Sequence, residues 1–238
     1  MKEYYKIADL AVIINSYGKT IKQAQNYRCD PFENADIEVI SSWENIKHRH
    51  PELDDDIGEY LSSGSNFYKK LLRFGGFMLH SSAVVVDGKA YLFTADSGTG
   101  KSTHTKLWLE LFGENAFILN DDKPAIRLVD GRWYAYGTPW SGKDDLSINT
   151  RIPVAGVAVV ERAERNKIDR ITGIEAIQGV IRQCNRNKDM ESRGLLMDLL
   201  NDFITDIPIW KLKCNISIDA AILAYEAMSG KNGEIHNE

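Results

Sequence analysis

Residues 95–103 read Ala-Asp-Ser-Gly-Thr-Gly-Lys-Ser-Thr. The run ends as a phosphate-binding loop does, in the pattern G-x-x-x-x-G-K-[S/T], with Ala95 at the place of the first glycine. Gly98 and Gly100 let the backbone curl until successive N–H groups converge, an arrangement that suits phosphate oxygens. In such a loop Lys101 sets a point charge against the β and γ phosphates, and the Ser102 hydroxyl ligates magnesium. A helix starting at Lys101 adds the positive end of its dipole. Ser97, Gly98, Thr99, Gly100, Lys101, Ser102 and Thr103 are therefore the candidate residues for a nucleoside triphosphate with Mg2+. A β run at 91–94 and an amphipathic pattern after the loop (Leu107, Trp108, Leu111, Phe112) supply the flanks that the motif requires. A chance glycine turn ahead of a helix is the alternative.

A magnesium ion on such a loop needs a carboxylate, usually from a nearby strand end. Asn120-Asp121-Asp122 closes the apolar run 117–120 and is the candidate. Neighbouring strand residues point to opposite sides, so both aspartates reach one place only if the strand ends there. One could then serve the metal while the other accepts a proton from an attacking hydroxyl; a solvated turn capped by one Asp is the plainer reading. His80, just before the apolar run 83–86, would not be selected by composition alone. The loop 138–143 mixes a proline, an aromatic and a Gly-Lys pair. It reads either as a cover for phosphates and acceptor or as a surface turn with Trp140 packed beneath.

These residues need strands and helices to hold them, and the patterning supplies both. Residues 7–14 and 37–40 read as strands, and 54–74 as a helix closed by Gly75-Gly76. Asp87-Gly88 and Asp130-Gly131 each join two apolar runs as hairpins. Residues 154–161 form a β-branched strand answered by 168–172, with the charged run 161–167 as a solvated turn. Helices are expected at 174–184, 193–204 and 218–228, and an alternating strand at 210–214. The stripe Leu195, Leu196, Leu199, Leu200 and Phe203 is core, or else a subunit interface in a homo-oligomer. Hairpins mixed with helices point to an α/β fold with α+β-like mixed sheets, not a doubly wound sheet. Residues 1–75 read as an N-terminal elaboration, 76–230 as the core that carries the loop, and 231–238 as a frayed tail.

Bulk properties bound the function. The 238 residues suffice for one sizeable core, and a net charge of −5 argues against broad nucleic-acid binding. No apolar run reaches the length of a membrane span, and no secretory signal pattern opens the chain, so neither a membrane nor a nucleic acid is expected as partner. Three widely spaced cysteines, Cys29, Cys184 and Cys214, form no zinc pattern and fit idle thiols in a reducing cytoplasm.

Taken in order, these elements resemble the catalytic domain of HPr kinase/phosphorylase, whose fold is shared with the ATP-dependent phosphoenolpyruvate carboxykinases. His80-Ser81-Ser82-Ala83-Val84 is similar to that family's His-Ala-Ser-x-Val strand. Residues 96–102 are similar to its Gly-Asp-Ser-Gly-x-Gly-Lys-Ser loop, and Asn120-Asp121-Asp122-Lys123 to its Ala-Asp-Asp-x strand end. The resemblance spans residues 79–172. It implies ATP and Mg2+ as ligands, Lys101 on the phosphates, Ser102 and Asp121 at the metal, Asp122 as the base, and His80 as a polar partner near Asp122. The family's glutamate in the glycine-rich signature has no counterpart in 137–143, and Lys143 or Arg151 would stand for its arginine near the reacting phosphate. The implied activity is transfer of the γ-phosphate of ATP to a serine or threonine hydroxyl on a peptide or small protein. A kinase of a small hydroxylated metabolite and a nucleotide-binding regulatory module without transfer are the alternatives.

Overall fold

The computed structural model describes residues 3–185 and 189–231. Its first lobe is a three-stranded sheet packed on a long helix. Strands β1 (Tyr4–Ile7) and β2 (Leu10–Asn15) form an antiparallel hairpin, and β3 (Ile37–Ile40) runs parallel to β2. The sequence predicts one strand over 7–14. It is split instead because Ala8 and Asp9 adopt φ of 53° and 63°, the left-handed pair that closes a two-residue hairpin. Between the strands lies α1 (Gly18–Gln23); after them come the short α2 (Trp43–Ile46) and α3 (Asp55–Leu71). The Asp54 carboxylate caps α3 by accepting from the Ile57 N–H at 2.8 Å. Gly75, at φ 68°, turns the chain out of the helical region.

The remaining strands form one branched sheet. In chain order they are β4 (Gly76–Met78), β5 (Ser81–Val86), β6 (Lys89–Thr94), β7 (Ala116–Asn120), β8 (Ala125–Val129), β9 (Arg132–Tyr136), β10 (Arg151–Arg162), β11 (Lys167–Ile171) and β12 (Ile209–Cys214). The helices are α4 (Lys101–Phe112), α5 (Gly173–Ile181), α6 (Met190–Asp206) and α7 (Ile218–Ser229). Strand β10 is the junction. Its first residues pair antiparallel with β9; from Val154 it pairs parallel with β6, with an irregularity between Val154 and Gly156, and from Val157 also parallel with β12. The order β4-β8-β9-β10-β6-β5-β7 results, with β12 and β11 branching from β10. Both Asp-Gly pairs sit at positive φ and close the expected hairpins, β5–β6 and β8–β9. The outcome is the mixed α/β fold that the patterning predicts.

Three apolar clusters hold the layers together. One lies between the sheet and α5–α6, and takes in Leu196, Leu200 and Phe203 with Leu195 and Leu199 at its edge, so the leucine stripe is core. A second joins β5, β6, β10 and β12 to α4 and α7 around the fully buried Trp108. The third spans the first lobe, α3 and the second half of the chain through Ala125, Tyr136 and Trp140. No helix among the described residues is long and apolar enough to cross a membrane. All three cysteines are free, Cys184 and Cys214 buried and Cys29 exposed. Of the tail, only Lys231 lies within the described residues.

Candidate active site

The glycine-rich loop leaves β6 at Thr94 and enters α4 at Lys101, so a helix N-terminus faces the cleft that the loop borders. Gly98 and Gly100 have φ of 77° and 121°, and a Cβ at either would meet nothing within 4 Å. The backbone conformation, not crowding, is what calls for glycine. The N–H groups of Ser97, Gly98 and Gly100 have no acceptor among the described residues. The loop's carbonyls are engaged: Arg162, the last residue of β10, donates to the oxygens of Thr99 at 2.9 Å and Gly98 at 2.5 Å. Donors without acceptors and carbonyls pinned from outside are the features that an anion site requires. Lys101 is buried, with its ammonium on the Ala95 carbonyl at 3.0 Å. Burial lowers its pKa, and Asp122, Asp121 and Asp96 oppose that effect.

Sheet order explains how the aspartates reach the loop. Strand β5 lies between β6 and β7, and its Ser82 stands between the loop helix and the end of β7. The Ser82 hydroxyl lies 2.8 Å from that of Thr105 on α4 and donates to Asp121 Oδ1 at 2.5 Å. Strand β7 ends at the fully buried Asn120, whose side-chain oxygen accepts from the N–H groups of Asp122 (3.1 Å) and Lys123 (2.8 Å). This local turn breaks the strand's alternation, so two consecutive aspartates line one cleft. The cleft, of about 400 Å³, is lined by His80, the loop residues Ser97, Gly98 and Gly100 to Thr103, Asp121, Asp122, 142–144 and Arg162.

Asp122 is the most strongly held carboxylate there. His80 Nε2 lies 3.2 Å from its Oδ1, and Lys123 forms an ion pair with its other oxygen. Burial alone would raise its pKa; the His80 hydrogen bond and the Lys123 charge outweigh burial and hold it down at about 2. Behind His80 stands Gln183, from the turn after α5. The Gln183 amide nitrogen donates to Asp96 Oδ1 at 2.9 Å, so its oxygen faces His80 Nδ1 at 3.1 Å. Both ring nitrogens of His80 thus face oxygens, one of Asp122 and one of Gln183. A continuous chain of polar contacts links the loop, through Asp96, Gln183 and His80, to Asp122.

The fourth wall is the segment between β9 and β10. Trp140 is fully buried, stacked on Phe67 and bonded to the Ser63 hydroxyl at 3.2 Å, so it packs beneath the loop as the plainer reading expects. Yet the same loop lines the cleft: Gly142, at φ 84°, sits so close that a Cβ there would lie 2.9 Å from Asp122 Cβ. The first lobe grips it. Gln23 donates to the Gly142 carbonyl and Tyr60 Oη accepts from its N–H, each at 3.0 Å.

Of the residues marked in the sequence, Ser97 to Thr103, His80, Asp121, Asp122 and Lys143 gather at this site, Thr99 at the rim of an adjoining hollow. Arg151 does not. It opens β10, bonds Asp9 at 2.9 Å and lies over the Tyr134 ring at 4.9 Å, away from the cleft lining. The cation that touches the loop is instead Arg162, which the charge pattern assigns to a solvated turn. Its position at the carboxyl end of the β-branched run 154–161 was readable, but the pairing of that strand with the loop strand was not. Gln183 and Ser82 carry no sequence signal of their own.

Magnesium fits the donors present. Asp121 keeps one oxygen with no partner among the described residues, and Ser102 lines the same cleft. Oxygen donors of this kind, one carboxylate and one hydroxyl completed by phosphate oxygens, suit that ion. No cluster of three or more His, Cys, Asp or Glu side chains poised for a metal occurs among the described residues, so phosphate and water would complete the shell.

No family model matches the sequence, and no curated protein matches it significantly. Among solved structures the chain is similar to the Hpr(Ser) kinase/phosphatase from Coxiella burnetii, with a TM-score of 0.38 and 13% identity over 66% of this chain and 93% of that one. A TM-score of this size transfers nothing about activity, which leaves the cleft itself as the ground for function.

Proposed function

We propose that this protein is an ATP- and Mg2+-dependent phosphotransferase acting on a serine or threonine hydroxyl of a peptide or small protein. The observation that carries this reading is the convergence, in one cleft, of an anion-binding loop, two oxygen donors for a metal, and a hydrogen-bonded carboxylate. The N–H groups of the loop, the α4 N-terminus and Lys101 would hold the β and γ phosphates. Ser102 and Asp121 would hold Mg2+, which when bound supplies charge neutralisation at the phosphates. In the transfer step the acceptor oxygen forms a bond to the γ phosphorus as the bond to the ADP oxygen breaks. ADP leaves with that electron pair, and the acceptor's proton passes toward Asp122. A carboxylate with a pKa of about 2 is ionised at any working pH but is a weak proton sink. Its main service is to orient the hydroxyl, which suffices for a loose phosphoryl-transfer transition state.

One observation favours a second reading. Asp122 is already engaged by His80 and Lys123, as a carboxylate in a nucleotide-gated regulatory module without transfer could be. Two measurements separate the readings. ATP with Mg2+ should raise the melting temperature of the wild-type protein and not of Lys101→Ala, since a ligand that binds only the folded state stabilises it. A wild-type melt indifferent to ATP with Mg2+ refutes both readings. Labelled phosphate reaching a peptide pool selects the kinase, and binding without transfer selects the module.

A further inference from the structure

Two further cations, Lys19 from the first lobe and Lys123 after β7, stand behind the Gly142 and Asp122 wall of the cleft. Lys19, on α1, holds its ammonium 4.4 Å from the centre of the Tyr60 ring. The Lys123 ammonium stands 5.7 Å from the same ring. Two cations thus stand against one aromatic ring, and the hydroxyl of that aromatic holds the Gly142 N–H of the cleft wall. Lys19 makes no salt bridge or hydrogen bond among the described residues, although it is half-buried. The carboxylates within its field are Asp122 and Asp145, and both are engaged: Asp122 by His80 and Lys123, Asp145 by the Ser141 hydroxyl at 2.7 Å. Burial and the neighbouring Lys123 charge lower the pKa of Lys19. A half-buried ammonium beside a second ammonium is unfavourable for the fold alone, and an arriving anion would relieve it.

We infer that Lys19 and Lys123, mounted on Tyr60, form an acceptor subsite for a carboxylate next to the hydroxyl that receives phosphate. This inference rests on the proposed phosphotransfer reading and narrows its acceptor to peptides with an acidic residue beside the serine or threonine. The placement suits the task. Lys123 is the immediate neighbour of Asp122, so a carboxylate on the pair sets the adjacent hydroxyl at the base. The aromatic ring holds the Lys19 ammonium in place without a carboxylate of the protein, while Lys123 stays paired with Asp122. The charge difference also opposes acceptors with basic flanks, which would meet the two lysines directly.

The test is a fluorescence-polarisation titration of three labelled serine peptides, alike except for Asp, Asn or Lys beside the serine. The full chain is saturated with Mg2+ and a non-hydrolysable ATP analogue. The Asp peptide should bind about tenfold more tightly than the Asn peptide, and the Lys peptide most weakly. Lys19→Gln should bring the Asp-to-Asn ratio close to one, and Lys19→Arg should retain most of it. Lys22→Gln, an exposed lysine on the same helix, should leave the ratio unchanged. Equal binding of the Asp and Asn peptides, or a ratio that survives Lys19→Gln, overturns the inference, as does binding of none of the three. Those outcomes are distinct from failure of the nucleotide reading, which is decided by the ATP-dependent melt.

Discussion

Glu59 is the one carboxylate in the fully buried class among the described residues, at 0% exposure. One of its oxygens accepts from the Thr20 hydroxyl at 2.8 Å, and the other has no partner among the described residues. Burial raises its pKa from 4.5 to about 7, with the Thr20 hydrogen bond opposing and Asp56 adding slightly. The sign follows from proton binding. Between about pH 4.5 and 7 the folded carboxyl keeps a proton that the unfolded one has released, so folding takes up a proton and stability falls as pH rises. Below that window the group costs nothing by this route; above it the full penalty applies. A shift of this size corresponds to about 3 kcal/mol. Glu59→Gln keeps an acceptor for Thr20 and cannot ionise. Urea unfolding followed by tryptophan fluorescence should therefore show the variant within about 1 kcal/mol of wild type at pH 5, and more stable by about 2–3 kcal/mol at pH 8. Taking the difference between the two proteins cancels the titration of every other group. The reasoning fails if both proteins share the same pH slope, or if the variant is destabilised equally at both pH values.

The cleft offers two further tests. Asp122→Asn should leave ATP–Mg2+ binding nearly intact in calorimetry while phosphate transfer falls by about 10²–10⁴, because the acceptor hydroxyl loses the charged oxygen that orients it and receives its proton; Asp121→Asn should weaken metal-dependent binding as well. Equal loss of binding in both would make the two residues structural. Arg162→Gln should reduce nucleotide affinity about tenfold with little change in melting temperature, because two charge-assisted bonds that hold the loop are lost from an exposed site. A nucleotide affinity unaltered by that change would show that the loop holds its own shape.

Short-range chemistry was what the sequence expressed well. The loop at 95–103, its flanking strand and helix, and the two Asp-Gly hairpins depend on residues within a few positions of each other, so their patterns are complete in the text of the chain. Asn120 is an intermediate case: it reads as a strand end, and only the fold shows its side-chain oxygen accepting from the N–H groups of Asp122 and Lys123. The contributions of Gln183, Arg162 and Lys19 depend on pairings between distant segments. Arg162 reaches the loop because β10 runs parallel to β6, and no local pattern encodes which strands become neighbours. Arg151 shows the converse: a cation at a plausible distance along the chain, carried to Asp9 by the antiparallel start of the same strand.

The grip of the first lobe on the 142–149 segment has a consequence for how the protein comes together. The loop, its helix and the aspartate strand all lie within residues 81–122, so that half of the cleft can assemble from local contacts soon after synthesis. The remaining wall waits for Gln23 to meet Gly142, for the Tyr27 hydroxyl to meet that of Ser147, and for Asn149 to reach the carbonyls of Lys6 and Asn26, pairings separated by more than a hundred residues. Contacts of such sequence separation cost the most loop-closure entropy and are slow to form. Opening of the first lobe would thus release the wall over Asp122 while the phosphate loop stays folded, a partial unfolding in which the chain still holds nucleotide but has nothing to set an acceptor against it.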